Sequence, residues 1–315
     1  MEIVQDRAAL VAAAGATIAR GSKSFAAASK LFDRETRERA WLLYAWCRAC
    51  DDIADAQDLG HDQQKVTDPQ ARIARIRDNT AMALAGKPTG DAAFDGLAVV
   101  VAETAMPRRF IDDHIAGFAL DADEWRPRSE NDLLRYCYHV AGVVGCMMAV
   151  VMGVPPQDDA TLDRACDLGL AFQLANIARD IEEDDRSGRC YLPEEWLVEM
   201  DFPPGQHMKP PFRKRLTVLS RRLADMAEGY EASARLGTPA LSYRSAWAVL
   251  AAADIYGGIA RKVAAAGDHA WDHRVTTTKA EKLAAIARAG AQAAGRVKLY
   301  PPAARDAELW TRPRG

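Results

Sequence analysis

The chain has 315 residues, enough for one large domain or two ordinary ones, and its 49% hydrophobic and 27% charged residues describe an ordinary soluble globular protein. A net charge of −3, with lysines and arginines scattered rather than run together, excludes nucleic acid as the partner. The first residues lack the basic n-region of a secretory signal, no lipidation motif ends the chain, and the longest apolar run, residues 140–154, is short of the ~20 residues that span a bilayer.

In chain order, a first helix is expected over about 5–18. Gly21, Ser22, Lys23, Ser24 and Phe25 follow, offering two hydroxyls, a lysine and a turn that suits phosphate. That segment is weak evidence by itself, since serine at a helix start is usually a cap and no Walker A pattern is present.

The second helix, about 35–57, carries the first informative pattern. Tyr44, Arg48, Asp51 and Asp55 fall at offsets of four, three and four, so they line one face, with Asp52 beside them. Leu42, Leu43, Trp46, Cys47 and Ile53 spread over the other directions, and a helix apolar almost all round is usually buried. Cys47 and Cys50 form a C-x-x-C without a second pair, which reads as core thiols rather than zinc or redox chemistry. With Cys137, Cys146, Cys166 and Cys190 they are expected to be reduced thiols of a cytosolic protein.

Helices over about 68–86, 91–104, 108–118 and 130–152 come next, separated by Gly86 to Pro88, Pro107 and Arg126-Pro127. The last of them holds Ala141, Gly142, Val143, Val144 and Gly145, small residues that either leave space beside a helix or let another helix pack closely. The helix over about 158–184 repeats the acidic pattern. Gln173, Asn176, Asp180 and Asp184 lie on one face at offsets of three, four and four, among Leu168, Leu170, Phe172, Leu174 and Ile177. Helices over about 213–235, 240–266 and 278–297 complete the chain, and the tail from about 300 is expected to be irregular. No strand-like alternation, short repeat, heptad series or low-complexity linker interrupts this order. The expected fold is therefore all-α, a single helical domain over 1–315 whose central helices can enclose a cavity.

A solvent-facing stripe is the ordinary explanation of charged helical positions. Here the apolar surroundings argue against it, and carboxylates at i and i+4 repel unless a cation or proton sits between them. Two such pairs, with Asn and Gln amides nearby, are oxygen ligands for a hard cation such as Mg²⁺, which keeps waters and is often completed by substrate phosphates. Arg48, Arg179 and Arg189 stand close in sequence to the acids. Singly each is as well explained by an ion pair, but with a metal they form a diphosphate clamp. A polar metal end beside apolar sequence fits a diphosphate head on a long hydrocarbon tail.

The string from Tyr44 to Asp55, the string from Tyr136 to Gly145, and the string from Gln173 through Asp184 and Arg189 to Tyr191 and Pro193 resemble the squalene/phytoene synthase family. The likeness runs from the Ser22 to Phe25 segment to Arg274. It implies an isoprenoid-synthase-type bundle and a prenyltransferase that condenses two allylic prenyl diphosphates head to head, through a cyclopropylcarbinyl diphosphate that is ionised again and rearranged. The likeness is greatest to the branch that uses geranylgeranyl diphosphate in carotenoid biosynthesis.

By that resemblance, Asp51, Asp55, Asn176, Asp180 and Asp184, with Asp52, hold Mg²⁺, Mn²⁺ being an alternative. Arg48, Arg179, Arg189, Arg274, Lys23 and Ser22 or Ser24 grip diphosphate oxygens. Tyr44, Tyr136, Tyr191 and Tyr256 match tyrosines near the family's site, although a tyrosine is more often core packing. No base is assigned for the final proton.

The family's squalene-forming branch reduces its last cation with NADPH. No G-x-G-x-x-G fingerprint occurs here, so no NADPH is expected. C15-using relatives that make squalene, dehydrosqualene or presqualene diphosphate share the motifs and remain the alternative, as does a non-catalytic assembly protein on the same fold. Head-to-tail elongases and cyclases fit less well, because their second motif differs from Asp180-Ile-Glu-Glu-Asp184. The lipid substrate implies a cytoplasmic enzyme in peripheral contact with the inner membrane face, and association with neighbouring isoprenoid and carotenoid enzymes.

Overall fold

The computed structural model describes residues 6–21, 26, 28–56 and 68–314. Among these residues every regular element is helical, as the three- and four-residue apolar spacing predicts. Ser22, Lys23, Ser24 and Phe25 lie outside the described residues. The chain forms two compact units, Met1–Asp123 with Met147–Asp158, and Glu124–Cys146 with Asp159–Gly315.

The first unit holds α1 (Arg7–Gly21), α2 (Arg34–Asp55), α3 (Pro69–Leu84), α4 (Ala92–Thr104) and α5 (Arg108–Ala122). Capping side chains set three of these starts. Asp33 accepts from the Thr36 amide at 2.9 Å, Asp68 from Ala71 at 3.1 Å ahead of Pro69, and Asp91 from Ala93 at 2.9 Å. α2 packs against α1 and α4 and buries Ala40, Leu42, Leu43 and Trp46. Glycine permits both contacts: a Cβ on Gly15 would stand 3.1 Å from the Trp41 ring, and one on Gly96 3.0 Å from Leu42. Trp46, Phe94 and Phe110 are fully buried, each a gain on the order of 2 kcal/mol from apolar burial.

The second unit begins with α6 (Glu130–Cys137), passes through a π turn at Tyr138–Gly142, and continues in α7 (Val143–Val151), within which the division between units falls. The sequence reading takes this stretch as one uninterrupted α-helix, and the π turn is the departure from it. By length and composition the 22-residue run Glu130–Val151 could cross a membrane, and most of it is buried inside the protein.

α8 (Asp159–Arg186) packs against α10 (Arg213–Arg235) and α11 (Tyr243–Ala266), and α11 carries α12 (Lys279–Leu299). Leu162, Leu170, Leu174, Ile177 and Ile181 bury several sides of α8, as its all-round apolar sequence requires. Gly145, read from sequence, serves close packing, and so does Gly169 on α8. A Cβ on Gly145 would meet the Ala165 carbonyl oxygen at 2.2 Å, and one on Gly169 the Ala141 carbonyl oxygen at 2.2 Å.

One short helix, α9 (Glu194–Glu199), has no counterpart in the sequence reading, since six residues are too few to show a helical period.

Residues 301–314 carry no helix yet are pinned to α8. Arg305 bonds both carboxylate oxygens of fully buried Asp167, at 2.6 and 2.9 Å, and Arg312 lies 2.9 Å from Asp163. Trp310 donates its amide to the Tyr230 hydroxyl and its indole N–H to Asn131.

Candidate functional site

In the first unit, the last turns of α2 bring Tyr44, Arg48, Asp51, Asp52 and Asp55 to the end of one helix. The helix stops directly afterwards. Ala56 takes a left-handed conformation, φ 54°, and returns its amide to the Asp52 carbonyl. Arg72 of α3 donates to the Ile53 carbonyl at 2.8 Å, so a cation from the neighbouring helix satisfies an orphan carbonyl at this terminus.

Asp51 is the residue most affected by these surroundings. Its side chain is 40% exposed, yet crowding by protein atoms strips enough water to push its carboxyl up to about 7. Arg48, 3.6 Å away, acts in the opposite sense, while Asp55, Asp52 and Asp121 add to the rise. The Arg48 guanidinium also lies 5.9 Å from the centre of the Tyr44 ring.

Asp121 is absent from the sequence reading. The helix expected to end near 118 runs to Ala122, and the extra turn carries this fourth carboxylate toward Asp51. Gly21, the last residue of α1, passes so near Tyr44 that a Cβ there would stand 3.1 Å from the phenol oxygen.

In the second unit, α8 presents Gln173, Asn176, Arg179, Asp180 and Asp184. Arg179 grips Asp180 through both arms of its guanidinium, the Nε bond being 2.7 Å. Arg274 reaches the same carboxylate at 3.1 Å and also pairs with Glu183. The segment bearing Arg274 is anchored by Trp271, whose buried indole N–H donates to the Ala178 carbonyl at 3.1 Å. Sequence alone did not single out Glu183 or Trp271.

α8 ends in a turn in which the amides of Ser187 and Arg189 both donate to the Asp184 carbonyl. Gly188 supplies the left-handed residue, φ 74°, that this turn needs. Arg126 holds the turn by donating to the Gly188 carbonyl at 3.1 Å.

Three of the four expected tyrosines belong to ring stacks in this unit. Tyr136 lies face to face with Tyr191, centroids 4.8 Å apart, and Trp125 stacks on Tyr136 at 5.7 Å. Tyr256 stacks on Phe172 at 4.1 Å. Trp125 and Phe172 are therefore additions to the aromatic set. They escaped the sequence reading because stacking partners are distant along the chain.

The donors suit a hard divalent cation. The cluster around Asp51 brings together four carboxylates opposed by Arg48, an imbalance that a cation relieves. Among the described residues no three His, Cys, Asp or Glu side chains form a ready-made metal cage. Mg²⁺ needs fewer protein ligands than that, since it keeps waters and takes phosphate oxygens. At Asp180 a metal would share the carboxylate with Arg179 and Arg274. Burial pushes the Cys47 and Cys50 thiols up, against the thiolate form that zinc requires, in keeping with core thiols.

Residues 18–281 match the family described as squalene/phytoene synthase. The chain is 47% identical over 300 residues to a 15-cis-phytoene synthase from Pantoea ananas, covering 94% of this chain and 96% of that protein. It is 43% identical over 305 residues to a 15-cis-phytoene synthase from Paracoccus sp., covering 96% and 98%. Among solved structures it is similar to a dehydrosqualene synthase in complex with ligand, with TM-score 0.80 and 26% identity over 91% of this chain and 97% of that one.

Proposed function

Because the chain belongs to the squalene/phytoene synthase family, we propose that it condenses two molecules of geranylgeranyl diphosphate head to head, through prephytoene diphosphate, to phytoene, releasing diphosphate, as a prenyltransferase of carotenoid biosynthesis. The observation that carries this reading is the identity of 47% to a 15-cis-phytoene synthase across nearly the whole of both chains.

The residues divide the work by charge. Asp51 and Asp55 on α2, with Asp52, and Asn176, Asp180 and Asp184 on α8 would hold Mg²⁺, with Mn²⁺ able to replace it. When bound, the ion would supply charge neutralisation for the departing diphosphate. Arg179, Arg274, Arg48 and Arg189 hold diphosphate oxygens, with Lys23 and Ser22 or Ser24, and the planar arginines orient the group as well as hold it. The Arg179 grip on Asp180 fixes that carboxylate beforehand, which lowers the reorganisation needed at ionisation.

Once diphosphate has left, the allylic cation must be kept from water until it attacks the second chain. Apolar walls exclude water, and the faces of Tyr44, Tyr136, Tyr191 and Tyr256 attract a passing cation. The final cation is quenched by proton loss, without NADPH.

The C20 substrate and C40 product exchange with a bilayer, so the protein works in the cytoplasm against the inner membrane face, beside the enzymes that supply and consume these lipids. The alternative within the family is a C15 substrate, favoured by the similarity to a dehydrosqualene synthase. Diphosphate release separates the two: with Mg²⁺ and no NADPH, turnover of geranylgeranyl diphosphate should exceed that of farnesyl diphosphate at least about tenfold, and EDTA should abolish both. Preference for the C15 substrate would overturn the assignment. Absence of release from either would favour a non-catalytic relative.

A further inference from the structure

α12 is apolar on both sides. Ala285, Ala289 and Ala293 are buried on one, against the body of the second unit. On the other, Leu283 and Val297 are 68% and 67% exposed, with exposed Ala284, Ala287, Ala291 and Ala294 between them. At 3.6 residues per turn these six lie within an arc of about 140° and extend along most of a helix about 30 Å long. An outward face of this width is not what solvent selects on a surface helix.

Charge identifies the occupant. The sequence of α12 has five basic residues, Lys279, Lys282, Arg288, Arg296 and Lys298, against one acid, Glu281, while the whole chain carries −3. The Glu281 carboxylate is engaged by Lys262 and accepts from the Thr278 amide, and Arg288 is paired with Asp254. Lys279 and Lys298 stand exposed at the two ends of the apolar face. Tyr243, 42% exposed, flanks the same helix: its ring leans on Trp247, which packs against Gly290 and donates to the Ile286 carbonyl at 2.7 Å. An apolar strip with lysines at its ends and an aromatic at its edge matches an anionic bilayer surface. The strip meets acyl chains, the lysine stems snorkel to the headgroups, and the tyrosine sits at the boundary.

A second copy of the chain fits less well. An antiparallel pair of such faces sets Lys279 against Lys298, and a parallel pair sets each lysine against its like. We propose that the exposed face of α12 is the surface by which the protein docks on anionic membrane. Most of α12 lies beyond residues 18–281, which match the family. The choice of membrane rests in part on the lipid substrates proposed above. Vesicle binding is measured without substrate, so its failure and that of the catalytic reading are separate results.

The test is co-sedimentation of the full chain with vesicles of phosphatidylcholine alone or with phosphatidylglycerol added. The variants are Leu283→Glu with Val297→Glu, and Lys279→Glu with Lys298→Glu. Wild type should sediment with the anionic vesicles, each double variant should lose about tenfold or more of that binding, and activity on detergent-dispersed substrate should stay at the wild-type level. The proposal fails if either double variant binds as wild type does, or if wild type binds no vesicles. It also fails if wild type is a dimer in solution that Leu283→Glu with Val297→Glu converts to monomer without changing vesicle binding.

Discussion

Asp51 carries a charge that its surroundings resist. Burial and three neighbouring carboxylates push it up to about 7 from an ordinary 3.8, so between those values the folded chain keeps a proton that the unfolded chain has lost. Without metal, stability therefore falls as pH rises through that window, and the full cost is present above 7. Asp51→Asn should melt at a higher temperature than wild type at pH 8 in EDTA, and at nearly the same temperature at pH 4, while losing about 100-fold or more in turnover with Mg²⁺. A lower melting temperature at pH 8 would show that the carboxylate is structurally satisfied and not reserved for a cation. At this scale the sequence was informative about what lay along one helix. The offsets that align Asp51 with Asp55, and Asp180 with Asp184, are properties of a helical period. Asp121, Glu183, Trp125 and Phe172 join these sets through packing between segments far apart in sequence, which a period does not encode.

Among the elements, the crossing of α8 with the stretch around Gly142 and Gly145 is set by backbone contact. Gly169→Ala would drive a methyl to 2.2 Å from the Ala141 carbonyl, and no flexible side chain is there to give way. The expected cost is about 3 kcal/mol or more, read by urea denaturation. Gly229 on α10 is the control, because a Cβ there meets nothing within 4 Å. Gly229→Ala should stabilise by about 0.5–1 kcal/mol, through helix propensity alone. If both variants behave alike, the close crossing does not exist. Helix positions were readable because apolar spacing and the Gly and Pro breaks are local signals; in the structure Asp33, Asp91 and Ser129 also cap the helices that follow them. The glycines were visible too, but whether they make room or make contact depends on which helix lies opposite. The π turn at Tyr138–Gly142 has no sequence period of its own and shows only in the backbone.

For the molecule as a whole, the C-terminal tail shows how irregular sequence can still be structural. Its prolines and arginines correctly announce the absence of a helix, but the partners lie about 140–150 residues back along the chain, at Asp159, Asp163 and Asp167. Ion pairs at that separation leave no local pattern. Asp167 is fully buried; burial pushes its carboxyl up, and Arg305 and Ser233 act to keep it charged. Arg305→Ala should cost about 3 kcal/mol, because an uncompensated carboxylate remains inside. The deficit should grow between pH 5 and pH 8, since the folded state must then hold a proton that the unfolded chain releases. A loss that does not vary with pH would assign Arg305 a packing role instead.

The central claim concerns the bond made and the chains joined. Purified protein with Mg²⁺ and labelled geranylgeranyl diphosphate, without NADPH, should yield a C40 hydrocarbon by mass spectrometry, identified as phytoene, together with released diphosphate. A C30 hydrocarbon from farnesyl diphosphate with none from the C20 substrate, or diphosphate release that stops at a cyclopropyl intermediate, would contradict the account.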